Sequence, residues 1–414
     1  MTRPLGVLFL QSQAFFGADS AVQAQLMRHL DRRHVEVHCA CTNTEADDPR
    51  MTAARRIEQI PDLHVRVTDF GHSVYGRPLS ARIKGGAAAL AAGAHGLGLI
   101  RYMKREHIDV VHGTEKPRDA FGGVWLARLA GAKSVIHMHV GYGDWLSPRV
   151  RWALGAADAI VGVSHFVAQG LVAAGYRADR VFAVHNSLDL ADQTWQRFAD
   201  RASMRASLGI PADAPVITIA SRLFRWKGHH DLVESLAAIR TELPAVRLVI
   251  VGEDDPRANP GGGSYRMQLA SRIAELGLER HVIFTGFRTD VGDVMAAGDV
   301  FCQPSAEEPF GMVYLEAMAA RRPVVAYRSG GAPEVVVDGE TGFLVDRGDI
   351  SALASSLLRL LRDQDLRRRF GEAGRRRVEL VFPPARSAAA MLDVYRAVVA
   401  GGRVTAGNAA DVAI

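Results

Sequence analysis

Short β-branched runs alternate along the chain with longer segments whose apolar residues recur at three- and four-residue spacing. In the first half the runs are LGVLFL, VEVHCAC, HVRVTDF, DVVH, SVIHMHV, AIVGVS and VFAVHN. Segments such as AVQAQLMRHL and DAFGGVWLARLAG separate them with a helical period. The runs are apolar at consecutive positions rather than at alternate ones. A strand of that kind is buried on both faces, which predicts parallel sheets covered by helices. VITIAS, VRLVIVG, HVIFTG, DVFCQPS and PVVAY repeat the theme in the second half. The pattern is that of two doubly wound α/β units in tandem.

The alternation lapses after Asn186-Ser187-Leu188-Asp189 into a polar segment, Ala191 to Ser207. The expected division is therefore 1–189 and 190–384. A last helical pattern, Ala388 to Val399, follows Pro383-Pro384, so 385–400 is expected to be a helix packing back on the first unit. The Gly- and Ala-rich tail, 401–414, is expected to fray.

Composition narrows the field. With 48% hydrophobic and 23% charged residues in 414, the chain can bury proper cores, and general disorder is excluded. The net charge of +5, with Arg clusters at Arg32-Arg33, Arg367 to Arg369 and Arg375 to Arg377, suits nucleic acid, an anionic membrane or a phosphorylated substrate. Each cluster alone reads as a solvated helix face. Aromatic residues make up only 7% and do not interleave with the basic ones, which argues against nucleic acid. Cys39, Cys41 and Cys302 sit in apolar runs without zinc-ligand spacing, as reduced thiols of a cytoplasmic protein do. The start, MTRPLGVLFLQSQ, has too short an apolar run for a signal peptide. Gly85 to Ile100 falls short of a membrane span and contains His95, so an internal helix is expected. Around it lie Arg77, Arg82, Lys84, Arg101, Lys104 and Arg105. An ordinary helix with basic flanks explains this segment more simply than a peripheral resting face on anionic lipid, which stays the alternative.

The densest chemistry lies in PSAEEPFGMVYLEAMAARRPVVA, Pro304 to Ala326. A buried strand ends before Glu307 and Glu308, and Pro309, Phe310 and Gly311 then open a helix from about Met312 to Ala320. Gly311 permits close approach of a ligand, and the amides around Phe310, Met312 and Val313 point at any anion lying there. Glu308 and Glu316 have seven residues between them. That separation lets one carboxylate meet a sugar and the other a ribose, with a diphosphate between them. Plain complementation of the helix dipole by Glu308 is the simpler alternative.

A second motif, ASRLFRWKGHHDLVESL, places Arg222 and Lys227 on a turn after strand VITIAS, five residues apart. Two cations so placed can clamp both phosphates of a leaving diphosphate and neutralise the charge developing on it, whereas either cation taken alone reads as a solvated loop charge. No group of Asp, His or Cys has metal-ligand spacing, and the cations with the helix amides make a divalent ion unnecessary; no metal and no cofactor are expected.

Together, Ser221-Arg222-Leu223 with Lys227-Gly228, and Glu308-Pro309-Phe310-Gly311 through Glu316-Ala317-Met318, resemble the retaining glycosyltransferases of family 4, the glycosyl transferases group 1. GGAPEVVVDGETGFLV extends the likeness to Val345. The resemblance implies the GT-B fold, two Rossmann-like domains facing across a deep cleft. It implies a nucleotide diphosphate sugar, UDP- or GDP-linked, as donor, and a glycan, lipid-linked or small-molecule acceptor. Arg222 and Lys227 would then hold the diphosphate, Glu308 the sugar and Glu316 the ribose. The amides of Phe310, Gly311, Met312 and Val313 would contact sugar and phosphate. Arg288, in TGFRTD, matches a position near the base. Gly17, in FFGADSAVQAQL, stands in the family's phosphate loop, where a Gly pair is common. His139, in SVIHMHVGYGDW beside His137, matches the histidine next to the transferred sugar. Glu253 replaces a usual glycine. His112 and His229-His230 read as structural or solvated, and Pro260 to Gly263 as a loop. A nucleotide-sugar epimerase or hydrolase of the same fold, and a non-catalytic sugar-nucleotide sensor, are the competing readings.

Overall fold

The computed structural model describes residues 3–46, 52–70, 85–255 and 263–401, with the side chains of 85–93 left out. The tail beyond Gly401, most of the Pro260–Gly263 loop, and Arg77, Arg82 and Lys84 lie outside these residues. The chain forms two compact units, Met1–Asn186 with Pro384–Ile414, and Ser187–Pro383.

In the first unit seven parallel strands run in the order β3-β2-β1-β4-β5-β6-β7. They are β1 Leu5–Gln11, β2 Val35–Thr42, β3 His64–Thr68, β4 Ile108–Thr114, β5 Lys133–Met138, β6 Ala159–Gly162 and β7 Val181–Ala183. Leu8 on β1 pairs with His38 on β2 and Val111 on β4. Side chains from the two faces of this sheet enter different clusters. Val7, Phe9, Cys39 and Cys41 belong to one, and Leu8, Leu10, Ala40 and Val111 to the other. Burial on both sides is why these strands read as unbroken apolar runs. The helix Pro384–Val399 contributes Met391, Leu392 and Tyr395 to the first cluster. Its Tyr395 hydroxyl lies 2.7 Å from His112 Nδ1 on β4.

The second unit repeats the arrangement with six parallel strands in the order β10-β9-β8-β11-β12-β13. These are β8 Val216–Ala220, β9 Arg247–Val251, β10 Val282–Gly286, β11 Val300–Gln303, β12 Val324–Tyr327 and β13 Gly342–Val345. Its core gathers Ile217, Ile219, Leu248, Ile250, Val300 and Val325 with Leu232, Leu236, Leu353 and Leu357 from the covering helices. Both strand orders reverse once, between β1 and β4 and between β8 and β11. In an open parallel sheet that reversal leaves a crevice at the strands' carboxyl ends, where ligands bind.

Two features differ from the sequence pattern. The polar segment after Asp189 contains the short helices Gln193–Gln196 and Arg201–Ser207, capped by Asp192 and Asp200. Strand β13 also stands outside the apolar runs that the sequence pattern picks out. Helix Gly85–Arg105 ends with exposed Arg101, Lys104 and Arg105, and no helix among the described residues is long and apolar enough to cross a membrane.

Candidate active site

Loops from β8 and β11 meet at the reversal point of the second unit, backbone against backbone. The turn after β8 ends at Gly228, whose φ is +79°; a Cβ there would lie 2.0 Å from the Pro304 carbonyl oxygen. Only glycine allows both that backbone and that approach. Ala306 N donates to the Trp226 carbonyl at 2.7 Å, and Gly331 N, in the loop after β12, donates to the Glu308 carbonyl at 2.7 Å.

This contact sets Lys227 against Glu308. Lys227 Nζ lies 2.8 Å from Glu308 Oε2, and the two side chains are 15% and 10% exposed. Ser305 Oγ and Gln303 Nε2 donate to the same oxygen at 2.9 and 3.3 Å. Gln303 is held in turn by the Tyr314 hydroxyl, which donates to its carbonyl at 3.0 Å. With three donors on Oε2, the carboxylate is oriented and Oε1 is the atom left to meet a hydroxyl.

Arg222 turns the other way. Its Nη1 lies 2.6 Å from Asp255 Oδ2, and its guanidinium stands 5.1 Å from the centre of the Phe224 ring. Each cation is thus matched by a carboxylate from a neighbouring loop, Asp255 after β9 and Glu308 after β11. An anion entering here would have to exchange with those carboxylates or share the cations with them.

The helix Met312–Ala319 starts at Gly311, which has no side chain to cap it. The amides of Met312 and Val313 therefore sit at an N-terminus that favours negative charge. Buried Phe310 anchors the turn edge-on to Phe382, with ring centres 5.8 Å apart. Glu316 lies one turn into the helix and forms no ion pair among the described residues. Part of its side chain reaches solvent, yet the surrounding protein strips enough hydration to push its carboxyl up to about 7.

Arg288, in the loop after β10, is engaged with Asp290 through Nε and Nη2 at 2.8 and 2.5 Å. Glu253 serves as a local tie between loops. Its Oε1 accepts from Phe287 N at 3.2 Å and so joins the loops after β9 and β10.

Gly17 and His139 belong to the first unit. Gly17 precedes the helix Ala18–His29 at φ −97°, an ordinary extended backbone. Asp19 in that helix's first turn pairs with Lys116 Nζ at 2.9 Å, and Lys116 pairs with Glu115 at 2.7 Å. Glu115 Oε2 accepts from His139 N at 3.2 Å. The chain Asp19–Lys116–Glu115 thus links the turn after β1, the loop after β4 and His139. Under it, burial raises the Asp119 carboxyl to about 6 although Ser12 and Thr114 donate to it. Burial holds His137 well below its usual value, with His139 4.4 Å away ring to ring, and lowers His112 to about 3. Neither of these two is protonated near neutrality.

One unit therefore assembles Arg222, Lys227, Glu308, Phe310, Gly311, Met312, Val313 and Glu316 on adjoining loops, with Arg288 on the loop after the edge strand β10. Gln303, Ser305 and Asp255 are further polar members of this site, and Glu115 and Lys116 stand beside His139 in the first unit; motif reading singles out none of the five. Their only signal in the sequence is a polar residue at a strand's carboxyl end.

Two doubly wound units with a cation-and-carboxylate site at a helix N-terminus define a glycosyltransferase scaffold of the GT-B class. Solved structures share the fold: Anabaena Alr3699/HepE, in complex with UDP, superposes with a TM-score of 0.76 over 95% of this chain and 100% of that one, at 23% identity. The profile described as Glycosyl transferases group 1 matches residues 200–377, and that of Glycosyltransferase Family 4 matches 21–192. The chain belongs to glycosyltransferase family 4. A lipopolysaccharide core biosynthesis glycosyltransferase, LpsE of Rhizobium meliloti, is 38% identical over 41% of this chain and 46% of its own. A GDP-mannose-dependent alpha-(1-6)-phosphatidylinositol monomannoside mannosyltransferase of Mycolicibacterium smegmatis is 35% identical over 60% of this chain. The match spans 66% of that relative's length.

Proposed function

We propose that this protein moves a hexose from a nucleoside diphosphate sugar to an acceptor hydroxyl, with retention at the anomeric carbon and without a metal ion. The observation that carries the reading is the meeting of Lys227 and Glu308, 2.8 Å apart, at the foot of an uncapped helix N-terminus. The bond from the anomeric carbon to the β-phosphate oxygen breaks, and negative charge grows on the diphosphate. Lys227, Arg222 and the amides of Met312 and Val313 receive that charge in a protein-lined site where it is worth most. Because these groups are all cationic or positively polarised, no divalent ion is needed. Glu308 accepts hydroxyls of the sugar and Glu316 those of the ribose. The acceptor oxygen attacks on the same face, and its proton passes to the departing phosphate.

The relatives support a nucleoside diphosphate donor, GDP-mannose by name in one and UDP by complex in another. A glycan or lipid-linked acceptor, handled from the cytoplasmic side, is the class we assign. The test is release of nucleoside diphosphate from UDP- and GDP-hexoses with the full chain. Lys227→Ala should lower turnover by roughly a hundredfold or more, the usual cost of one transition-state donor. Wild-type turnover by a folded Lys227→Ala protein would remove the proposed clamp.

A further inference from the structure

Two helices of the first unit carry an exposed aromatic face that the donor site does not use. On helix Gly123–Ala130, Trp125, Arg128 and Leu129 fall on one exposed stripe, three and four residues apart. On helix Pro148–Ala156, Arg149 and Trp152 form a second. Trp125 and Trp152 stack, with ring centres 5.7 Å apart and planes inclined by 15°. Phe121 packs against both, at 6.5 and 5.2 Å. Arg128 lies 5.9 and 5.5 Å from the two indoles, and Arg149 stands 6.0 Å over Phe121. Trp125, Leu129 and Trp152 are 43%, 57% and 40% exposed, a contiguous apolar surface of the kind that marks an interaction site.

The cations on this face select its occupant. Arg3, Arg33, Arg177 and Arg362 elsewhere on the surface each hold a carboxylate. Arg128 and Arg149 hold none among the described residues; Arg128 Nη2 donates only to the Ala156 carbonyl, at 3.1 Å. A second copy docking by two-fold symmetry would set this patch, with both of its arginines, against the same patch of the other copy. An anionic lipid surface instead offers phosphates to the guanidinium groups and a headgroup layer that accommodates indoles.

We propose that this face seats the protein peripherally on an anionic bilayer. Trp125 and Trp152 enter the headgroup layer, and Arg128 and Arg149 meet lipid phosphates. The inference rests on the face itself and holds whichever acceptor the donor site serves.

The test is co-sedimentation of the full chain with vesicles of phosphatidylglycerol and phosphatidylcholine, against phosphatidylcholine alone, at low and high salt and without donor. The expected result is binding that needs phosphatidylglycerol, weakens with salt, and brings tryptophan fluorescence within reach of brominated lipid. Each of R128Q and R149Q should cost roughly fivefold in partitioning, the usual worth of one arginine near an anionic surface. The pair Trp125→Ala and Trp152→Ala should lose the quenching. Circular dichroism checks its fold, and the arginine variants, being surface changes, keep the test decisive if that pair unfolds. Absence of lipid-dependent sedimentation by the wild-type chain overturns the proposal, as does unchanged partitioning of the arginine variants. A vesicle-independent dimer dissolved by Trp125→Ala would assign the face to a second copy and also overturn it. Donor turnover is measured apart from vesicle binding, so failure here leaves the transferase reading standing, and the reverse.

Discussion

Replacing Glu316 by Gln should stabilise the protein above neutral pH while weakening its grip on the donor. Burial raises this carboxyl from 4.5 to about 7, with no ion pair among the described residues to oppose it. Below 4.5 the acid is protonated in the folded and unfolded chain alike. Between 4.5 and about 7 only the folded chain keeps the proton, so stability falls as pH rises through that window. Above it the full penalty is present. At about 1.4 kcal/mol per pH unit the gap sets a ceiling of about 3 kcal/mol, and residual solvent contact brings the expected gain for Glu316→Gln nearer 1–2 kcal/mol. Gln keeps the shape and cannot ionise. The assay compares denaturant melts of both proteins at about pH 5 and about pH 8, where the curves should separate only at the higher value. Donor binding should move in the opposite sense. If Glu316 holds the ribose as proposed, its hydroxyls donate to an ionised carboxylate, and wild-type affinity should rise as pH passes through about 7 while the variant's should not. Identical pH dependence of melting in the two proteins would show that Glu316 does not carry this penalty.

Ser305→Ala removes one of three donors from Glu308 Oε2. Hydrogen bonds to charged groups contribute about 1.5–3 kcal/mol, so turnover should fall roughly tenfold while nucleoside diphosphate affinity holds, with Ser305→Thr restoring the rate. Gly311→Ala places a Cβ 2.2 Å from the Tyr314 ring at a φ of +100°. Tyr314 is fully buried and tied to Gln303, so the ring cannot yield, and thermal melting should report a loss of roughly 2–4 kcal/mol.

Much of the fold is legible in the sequence because burial on both faces leaves unbroken apolar runs. VITIAS and DVFCQPS stand out for that reason, and they form β8 and β11 at the centre of their sheet. Strand β13 escapes notice since it is four residues long and begins with Gly342. Helices Gln193–Gln196 and Arg201–Ser207 escape because they are short and their exposed faces are polar. The loop motifs are contiguous and can be read directly. Their electrostatic partners cannot. Arg222 finds Asp255 33 residues away, and Lys227 finds Glu308 81 residues away, through strand order alone. The stacking of Trp125 on Trp152 is hidden for the same reason: each reads as one aromatic on one helix, and only the packing of the two helices brings the indoles together.

In the proposed function a diphosphate lies against Lys227, Arg222 and the first turn of helix Met312–Ala319. A crystal of the protein grown with a nucleoside diphosphate tests it directly. Phosphate oxygens are expected at hydrogen-bond distance from Lys227 Nζ and the Val313 amide, with the Arg222–Asp255 pair opened. Nucleotide bound elsewhere, with both ion pairs intact, would contradict it.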